Sequence, residues 1–479
     1  MSKHTDFLEY KRKNHGYRPV SERIKDYKPV IEELSRNDIE IQALRCMNCG
    51  IPFCHSLGCP LNNLIPEWNN LIAHKKWDEA LDRLLVTNPL PEITGRVCPA
   101  LCEASCTLSI NDSPVTIRQI ELAIIEYGFE KGLIKPLVID KETGKKVAVI
   151  GSGPSGLSAA WRLREKGHSV VVFEKKDKPG GLLRYGIPDF KLEKSVIDRR
   201  IKLMEESKIT FKLNFSPSKE DLKNFDAILF AIGCGTPRPL GVPGDDSKGI
   251  FYAIEFLEGS NRFVANEKKP SDIIWAEDKN VLIIGGGDTG ADCVGTAIRQ
   301  KAKKVWQYEI MPKPIEWNFD WNPQWPNWPL ILRTSSSHEE GAEREWSVLI
   351  KKIIPDSKGY VKEAHFVKVK WEKKNNQTKP EMIEIPNSEF KLDVDLILLA
   401  TGFIHVEHSP LIKELNLELN EAGNIKTDSN YATNVKGIFA TGDSITGASL
   451  IVRAINHGLR AAESISNFLL NSIHTVQNS

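Results

Sequence analysis

Apolar residues recur at two different periods along the chain. Over the first 145 residues the spacing is helical. Glu79-Ala-Leu-Asp-Arg-Leu-Leu-Val86 repeats an apolar position every three or four residues, and Val30-Ile-Glu-Glu-Leu34 reads the same way. From Lys145 the pattern changes to short β-branched runs. Lys146-Val-Ala-Val-Ile150 predicts a strand entering Gly151, Leu157 to Lys166 a helix, and Ser169-Val-Val-Val-Phe173 a second strand. The unit recurs with Val281-Leu-Ile-Ile284, a helix to about Lys301, and the strand Lys304-Val-Trp-Gln-Tyr308. Two βαβ starts so far apart predict two separate nucleotide domains, not a short-period repeat. Val394 to Ala400 and Gly437 to Asp443 read as two more buried strands, the latter followed by a helix through Ala461.

Composition leaves this picture intact. A chain of 479 residues holds about three domains. Lys+Arg at 64 balance Asp+Glu at 63, so neither nucleic acid nor an anionic membrane is expected as a partner. The start, Met-Ser-Lys-His-Thr-Asp, lacks the layout of a signal peptide, and no run of about 18 apolar residues appears. A cytoplasmic location is therefore expected, where clustered cysteines serve metal or redox chemistry more often than disulfides.

Gly151, Gly153 and Gly156 stand between strand and helix at the spacing that lets a pyrophosphate approach the helix N-terminus, and Glu174 closes the second strand as a ribose acceptor. Thr441-Gly442-Asp443 favours FAD at this site, because an acid at such a strand end can bond a ribityl hydroxyl. Gly285, Gly287 and Gly290 repeat the loop, followed by Glu309. A carboxylate there accepts from a free 2′-hydroxyl and repels a 2′-phosphate, which favours NADH, although Arg333 or Arg344 can still fold over and bind a phosphate. Hydride transfer between nicotinamide and flavin needs alignment, so no proton-transfer residue is assigned. His338-Glu339-Glu340 lacks the second histidine of a zinc protease motif and reads as a polar loop. The expected fold is thus α/β: a helical domain over 1–145, a Rossmann-like FAD domain over 146–235 and 401–479, and a second Rossmann-like NAD(P) domain over 236–400 inserted into the first.

Seven of the nine cysteines lie early in the chain, as Cys46, Cys49, Cys54, Cys59, Cys98, Cys102 and Cys106. They are read onto connections broken by proline and glycine, such as Gly50-Ile-Pro-Phe-Cys54. Their spacings resemble ferredoxin-type loops more than paired zinc sites, with zinc the competing reading. Cys234 and Cys293 stand alone and read as buried apolar residues, so the cysteine pair of a flavin disulfide reductase is missing. Pro312 to Pro329 holds Trp317, Trp321, Trp325 and Trp328 among five prolines. It reads as a surface loop pinned by aromatic packing, with a contact face as the alternative.

The chain resembles the small (beta) subunit of glutamate synthase. The resemblance is carried by Arg45-Cys-Met-Asn-Cys-Gly-Ile-Pro-Phe-Cys-His55, Thr94-Gly-Arg-Val-Cys-Pro-Ala100, Gly181-Leu-Leu-Arg-Tyr-Gly-Ile-Pro-Asp-Phe-Lys-Leu192, Asn322-Pro-Gln-Trp-Pro326 and Ala440-Thr-Gly-Asp443. The cysteine pattern is shared with dihydropyrimidine dehydrogenase and flavin transhydrogenases. The resemblance implies two 4Fe–4S clusters with interleaved ligands: Cys46, Cys49, Cys54 and Cys106 for one, and Cys59, Cys98, Cys102 and Glu121 for the other. It also implies oxidation of NAD(P)H at FAD and electron delivery to a large subunit that makes glutamate. A ferredoxin-linked transhydrogenase subunit is the alternative. The candidate FAD residues are Gly151, Gly153, Pro154, Ser155, Gly156, Glu174, Lys175, Gly181, Leu182, Lys191, Gly442, Asp443, Ser449 and Leu450. Those for the nicotinamide nucleotide are Gly285, Gly287, Asp288, Thr289, Gly290 and Glu309.

Overall fold

Proline and glycine breaks cut the N-terminal region into short helices. The computed structural model describes residues 5–373 and 380–476. Helices run over Arg36–Leu44, Ile65–Ala73, Trp77–Leu85, Pro91–Val97 and Ile117–Glu130. Ser35 caps the first by accepting the Asp38 N–H, and Pro66 and Pro91 occupy first turns, where a missing N–H costs nothing. Their inner faces meet through Ile39, Ile65, Trp68, Ile72, Leu84, Ile120 and Ile124.

One expectation fails here. Val30 to Leu34 is not helical. Ile31–Glu32 pairs antiparallel with Gly16–Tyr17, and the Val30 N–H donates to the Phe190 carbonyl at 3.1 Å. The β-branched Val30 and Ile31 follow Pro29, a sequence better suited to extended backbone, and the helix starts only after Ser35.

The two glycine loops belong to two five-stranded parallel sheets. The first has the order Ile438–Ala440, Ala227–Phe230, Lys146–Ile150, Ser169–Phe173 and Thr210–Lys212. Helix Pro154–Glu165 covers it and packs on the C-terminal helix Ile451–Val476, where Gly458 lies against the Ser155 carbonyl. The helix expected directly after Asp443 is split: Asp443–Thr446 is one short turn, ended by Gly447 at φ +77°, before the long helix begins.

The second sheet has the order Glu343–Trp346, Lys304–Glu309, Asn280–Ile284, Leu396–Leu399 and Ile250–Tyr252. Helices Ala253–Val264 and Asp288–Arg299 pack on it. A further antiparallel sheet, built on Val348–Pro355 and Val361–Glu372, adds a layer the glycine loops do not announce. The connections between the two parallel sheets pair with each other, Thr236–Pro237 against Phe403–His405.

Buried charge joins these parts. Arg200 of helix Lys194–Glu206 grips Glu92 of the N-terminal region through two bonds of 2.6 and 2.8 Å. Glu340 receives Arg23 at 2.8 Å and Arg299 at 2.5 Å, all three essentially out of solvent.

Candidate functional site

The first loop is shaped by close backbone contacts. Gly151 has φ +101°, donates its N–H to the Phe173 carbonyl at 2.8 Å, and leaves no room for a Cβ, which would stand 2.4 Å from the Ala231 carbonyl oxygen. Helix Pro154–Glu165 begins just after Gly153, whose outer side has nothing within 4 Å. An open, N–H-lined helix start fits a pyrophosphate. Glu174 Oε2 accepts the Ser152 N–H at 3.2 Å and the Ser152 hydroxyl, and Oε1 accepts the Lys176 N–H at 2.9 Å. The Ser152 hydroxyl in turn accepts the Gly180 N–H at 3.0 Å, which draws the Gly181–Leu182 turn against Gly153. From the C-terminal strand, Gly442 comes up to Ser155, and Ser449 donates to Asp443 Oδ1 at 2.6 Å. Burial pushes the Asp443 carboxyl up. Asp443 is not a helix cap, since Gly442 holds that position.

Not every candidate points here. Lys175 forms an exposed pair with Glu407 at 2.7 Å, and Lys191 reaches across to Asp292 in the helix of the second loop, at 2.5 Å. Leu182 is exposed, and Leu450 packs on the core.

The second loop copies the first. The Gly285 N–H donates to the Tyr308 carbonyl at 2.8 Å, and Gly287 has an open outer side. Asp288 and Thr289 form the first turn of helix Asp288–Arg299, and Gly290 lies against the Gly285 carbonyl. Glu309 Oε2 accepts the Gly286 N–H at 2.6 Å and Oε1 the Met311 N–H at 3.0 Å. These are the positions that Glu174 uses: the residue after the first glycine, and the residue two beyond the acid. Arg333 stacks on Trp328, and Arg344 stacks on Trp346 and donates to the Arg333 carbonyl at 3.2 Å.

Sequence reasoning missed what stands behind this loop. His338 is not part of a polar loop but of the short helix Ser336–Glu339. Burial lowers its pKa to about 3, so the ring is neutral. With Nδ1 accepting the Ser335 N–H at 3.1 Å, Nε2 is assigned as the donor to Gln307 Oε1 at 2.7 Å, and Gln307 Nε2 donates to the Gly285 carbonyl at 2.8 Å. The three-residue chain braces the glycine loop. No local spacing signals it, because its members come from separate elements.

The cysteines are all free thiols. Cys54 and Cys102 sit on short helical turns, Cys54–Gly58 and Leu101–Ala104, rather than on open connections. The two turns pass in contact, with Gly58 against the Cys102 Cα. The charges each thiol feels sort the seven into two sets. Cys54 senses Cys106, Cys46 and Cys49, and Cys106 senses Cys46 and Cys49. Cys102 senses Cys59, Glu103, Cys98 and Glu121, with Glu103 itself paired to Arg12 at 2.6 Å, and Cys59 senses Glu121 and Cys98. Burial pushes Cys59 up to about 12, and Cys98 and Cys106 up to about 11, so each needs a bound cation to become a thiolate. Among the described residues, no three His, Cys, Asp or Glu side chains converge closely enough to hold a single metal ion.

Glu121 is 5% exposed, not a surface acid. Its Oε1 accepts Asn88 Nδ2 at 2.9 Å and the Thr94 hydroxyl. Burial raises its pKa to about 7, against the pull of those two bonds. Elsewhere in the N-terminal region Trp68 Nε1 and Arg45 Nε are buried without partners. Seven buried or half-buried thiols with unpaired buried N–H groups among them fit polyatomic iron–sulfur groups.

The tryptophan segment bridges domains. Trp325 donates its indole N–H to the Cys106 carbonyl at 3.0 Å and lies 4.9 Å from the Phe53 ring. Asn322 binds the Ser109 and Ala104 carbonyls. Pinning is therefore real, but the partner is the cysteine region.

Residues 145–458 match the family model for pyridine nucleotide-disulphide oxidoreductases, and 23–133 match that for dihydropyrimidine dehydrogenase domain II, 4Fe-4S cluster. The class is thus a pyridine-nucleotide oxidoreductase with an iron–sulfur domain at its N-terminal side. Within that class the chain belongs to the glutamate synthase small-chain family. It is 44% identical to the glutamate synthase (NADPH) small chain of Mycobacterium tuberculosis, over 97% of this chain and 96% of that protein. With the same-named protein of Bacillus subtilis it shares 42%, over 98% and 99%. FprA of Mycobacterium tuberculosis, solved with NADPH, superposes with a TM-score of 0.54 over 69% of this chain and 86% of that one, at 14% identity, a likeness of fold alone. The resemblance and the fold class read from sequence are borne out. No helix among the described residues is long and apolar enough to cross a membrane.

Proposed function

We propose that this chain oxidises NADH or NADPH at an FAD held by the first loop and forwards the electrons through two 4Fe–4S clusters to a separate large subunit that makes L-glutamate from glutamine and 2-oxoglutarate. What supports it best is the full-length similarity to a glutamate synthase small chain, together with seven free thiols and the buried Glu121 inside the region that matches a 4Fe-4S family model. Cys46, Cys49, Cys54 and Cys106 would hold one cluster, and Cys59, Cys98, Cys102 and Glu121 the other. When bound, FAD accepts a hydride as two electrons and iron–sulfur clusters carry electrons singly.

The chain's own residues bind and orient. Gly151, Gly153, Pro154, Ser155 and Gly156 receive the FAD pyrophosphate, Glu174 faces the adenosine ribose, and Gly181 closes the wall. Gly442, Asp443 and Ser449 meet the ribityl and flavin end. Lys191, through Asp292, ties this site to the helix of the second loop. Gly285, Gly287, Asp288, Thr289 and Gly290 receive the nicotinamide dinucleotide, and Glu309 faces its 2′-hydroxyl. The division into 1–145, 146–235 with 401–479, and 236–400 assigns one cofactor type to each part. Free thiols suit a cytoplasmic setting.

Glu309 favours NADH, because a carboxylate repels a 2′-phosphate. Replacing it with alanine is expected to weaken NADH binding more than NADPH binding, read as the ratio of the two dissociation constants. An unchanged ratio removes Glu309 from the discrimination. The proposal as a whole is tested by anaerobic co-purification with a large glutamate synthase subunit, with iron, sulfide and flavin measured on what is recovered. A flavin- and iron-loaded chain that restores NAD(P)H-driven glutamate formation supports it; an iron-free chain, or one that gives the large subunit no electrons, defeats it.

A further inference from the structure

Helix Ala253–Val264 packs on the second parallel sheet, yet two adjacent polar side chains near its end bind elsewhere. Asn261 is 6% exposed, and its Nδ2 donates to the Arg184 carbonyl at 3.1 Å and the Ile187 carbonyl at 3.0 Å. Arg262 grips Asp177 through two bonds, Nη2 to Oδ1 at 2.7 Å and Nη1 to Oδ2 at 3.2 Å. The guanidinium holds that carboxyl well below the usual carboxylate range. Glu258 and Glu267, on the side of Arg262, meet it at 3.3 and 2.9 Å and themselves reach Lys176 and Lys178. Every residue gripped this way lies between Ser169–Phe173 and Thr210–Lys212, two paired strands of the first sheet.

The segment held is the wall of the first glycine loop. Asp177 follows closely on Glu174, and the Tyr185 hydroxyl donates to Asp177 Oδ1 at 2.8 Å from the end of the turn Leu182–Tyr185 that Gly181 starts. A second tie joins the same segment to the helix of the second loop: Lys191 meets Asp292 at 2.5 Å, and Arg299 stacks on Phe190 at 3.9 Å. The backbone itself joins the two sheets only weakly, through the short pairing of Thr236–Pro237 with Phe403–His405. Two short crossings leave relative motion the default, so what stops it must come from side-chain contacts.

We propose that Asn261 and Arg262 lock the two nucleotide-binding parts in the one orientation in which a nicotinamide bound at the second loop meets a flavin bound at the first. The inference rests on the cofactor reading above. Neither residue touches a reacting atom, and neither makes or breaks a bond: both are positioning residues. Hydride transfer needs reacting atoms about 3–3.5 Å apart, and a misplacement of about 1 Å can slow it about a hundredfold. Play at this junction therefore shows in the transfer step and not in nucleotide affinity, because the second loop and Glu309 keep their own contacts.

The test uses the full chain, purified anaerobically with its FAD, and the variants N261L and R262M. In stopped-flow reduction by NADH, both are expected to keep the wild-type dissociation constant within about twofold and to lose at least about tenfold in the limiting rate of flavin bleaching. FAD-loaded variants that bleach at the wild-type rate overturn the proposal, as do variants whose loss lies in NADH affinity alone. Dipolar EPR adds a readout that a merely stabilising role would not move. With genetically encoded spin-label residues at the exposed positions Lys202 and Lys303, one narrow distance is expected in the oxidised wild type, unchanged by NAD+, and a broadened one in the variants. If the variants lose FAD, the wild type decides: a single unshifted distance supports the lock, and a second distance or a shift on adding NAD+ overturns it. A wild type that holds no FAD, or whose FAD NADH cannot bleach, fails the cofactor reading itself, before the junction is reached.

Discussion

Replacing Glu121 with alanine is expected to remove one cluster, and with it about half of the iron and acid-labile sulfide, from anaerobically purified protein, while NADH still bleaches the flavin. The carboxyl is buried in the cysteine region, on the helix Ile117–Glu130. Thr94 and Asn88 both hold its Oε1, which leaves Oε2 to act. Three cysteines cannot complete a four-iron group with four ligands, and alanine offers nothing in the fourth place. Flavin reduction is spared, because both glycine loops lie in the parallel-sheet domains. Glu121→Cys is expected to keep the full iron content, since a thiolate is the softer ligand. Iron analysis and the EPR spectrum of the reduced protein check both variants. Full iron and two cluster signals in the alanine variant would strike Glu121 from the ligand set.

Much of this site was legible in the sequence, for a physical reason. Glycine loops and cysteine runs are local: strand, turn and helix fall within some 25 residues, and the chain must spell them in order. The loops at Gly151 and Gly285 and the acids Glu174 and Glu309 read out this way, and the structure gives the two acids matching bonds. Burial at a distance is not spelled. Nothing near Glu340 marks it as the partner of Arg23, 317 residues away. His338 braces Gly285 only through Gln307, and Lys191 meets Asp292 in the helix of the second glycine loop. Val30 to Leu34 failed for a related cause. Five residues cannot separate a helix from an extended segment, and the Phe190 carbonyl that decides the matter is supplied from another domain. The tryptophan segment was read as pinned, which it is, but the cysteine region beneath Trp325 lay beyond any local pattern.

Those distant contacts carry the second large effect. Glu340→Ala is expected to destabilise the junction of the N-terminal arm with the second nucleotide domain by about 3–5 kcal/mol, the usual result of leaving buried charge without its partner. Arg23 would keep the Ser336 carbonyl at 2.7 Å and Glu339 at 2.9 Å, and Arg299 the Asp26 carbonyl at 3.0 Å and the Gly295 carbonyl at 2.9 Å. These contacts hold the guanidiniums in place but put no buried carboxylate between them. The loss belongs to one junction of a multidomain chain, so it is read as an earlier first thermal transition and as faster amide exchange in residues 18–30 and 288–299, not as a single unfolding energy. Exchange in the helix Ile65–Ala73 is expected to stay slow. Nicotinamide binding is expected to weaken as well, because Glu340 lies two residues beyond His338, which holds Gln307 against the Gly285 carbonyl. The triple apolar replacement Arg23→Met, Glu340→Leu, Arg299→Met separates charge from packing. It removes all three buried charges together at similar volume, leaves only backbone carbonyls and the half-exposed Glu339 to find other donors, and is expected to recover most of the lost stability. If Glu340→Ala melts and exchanges like the wild type, the buried triad does not clamp the arm. If the triple variant fares as badly as the single one, shape rather than stranded charge is what the junction requires.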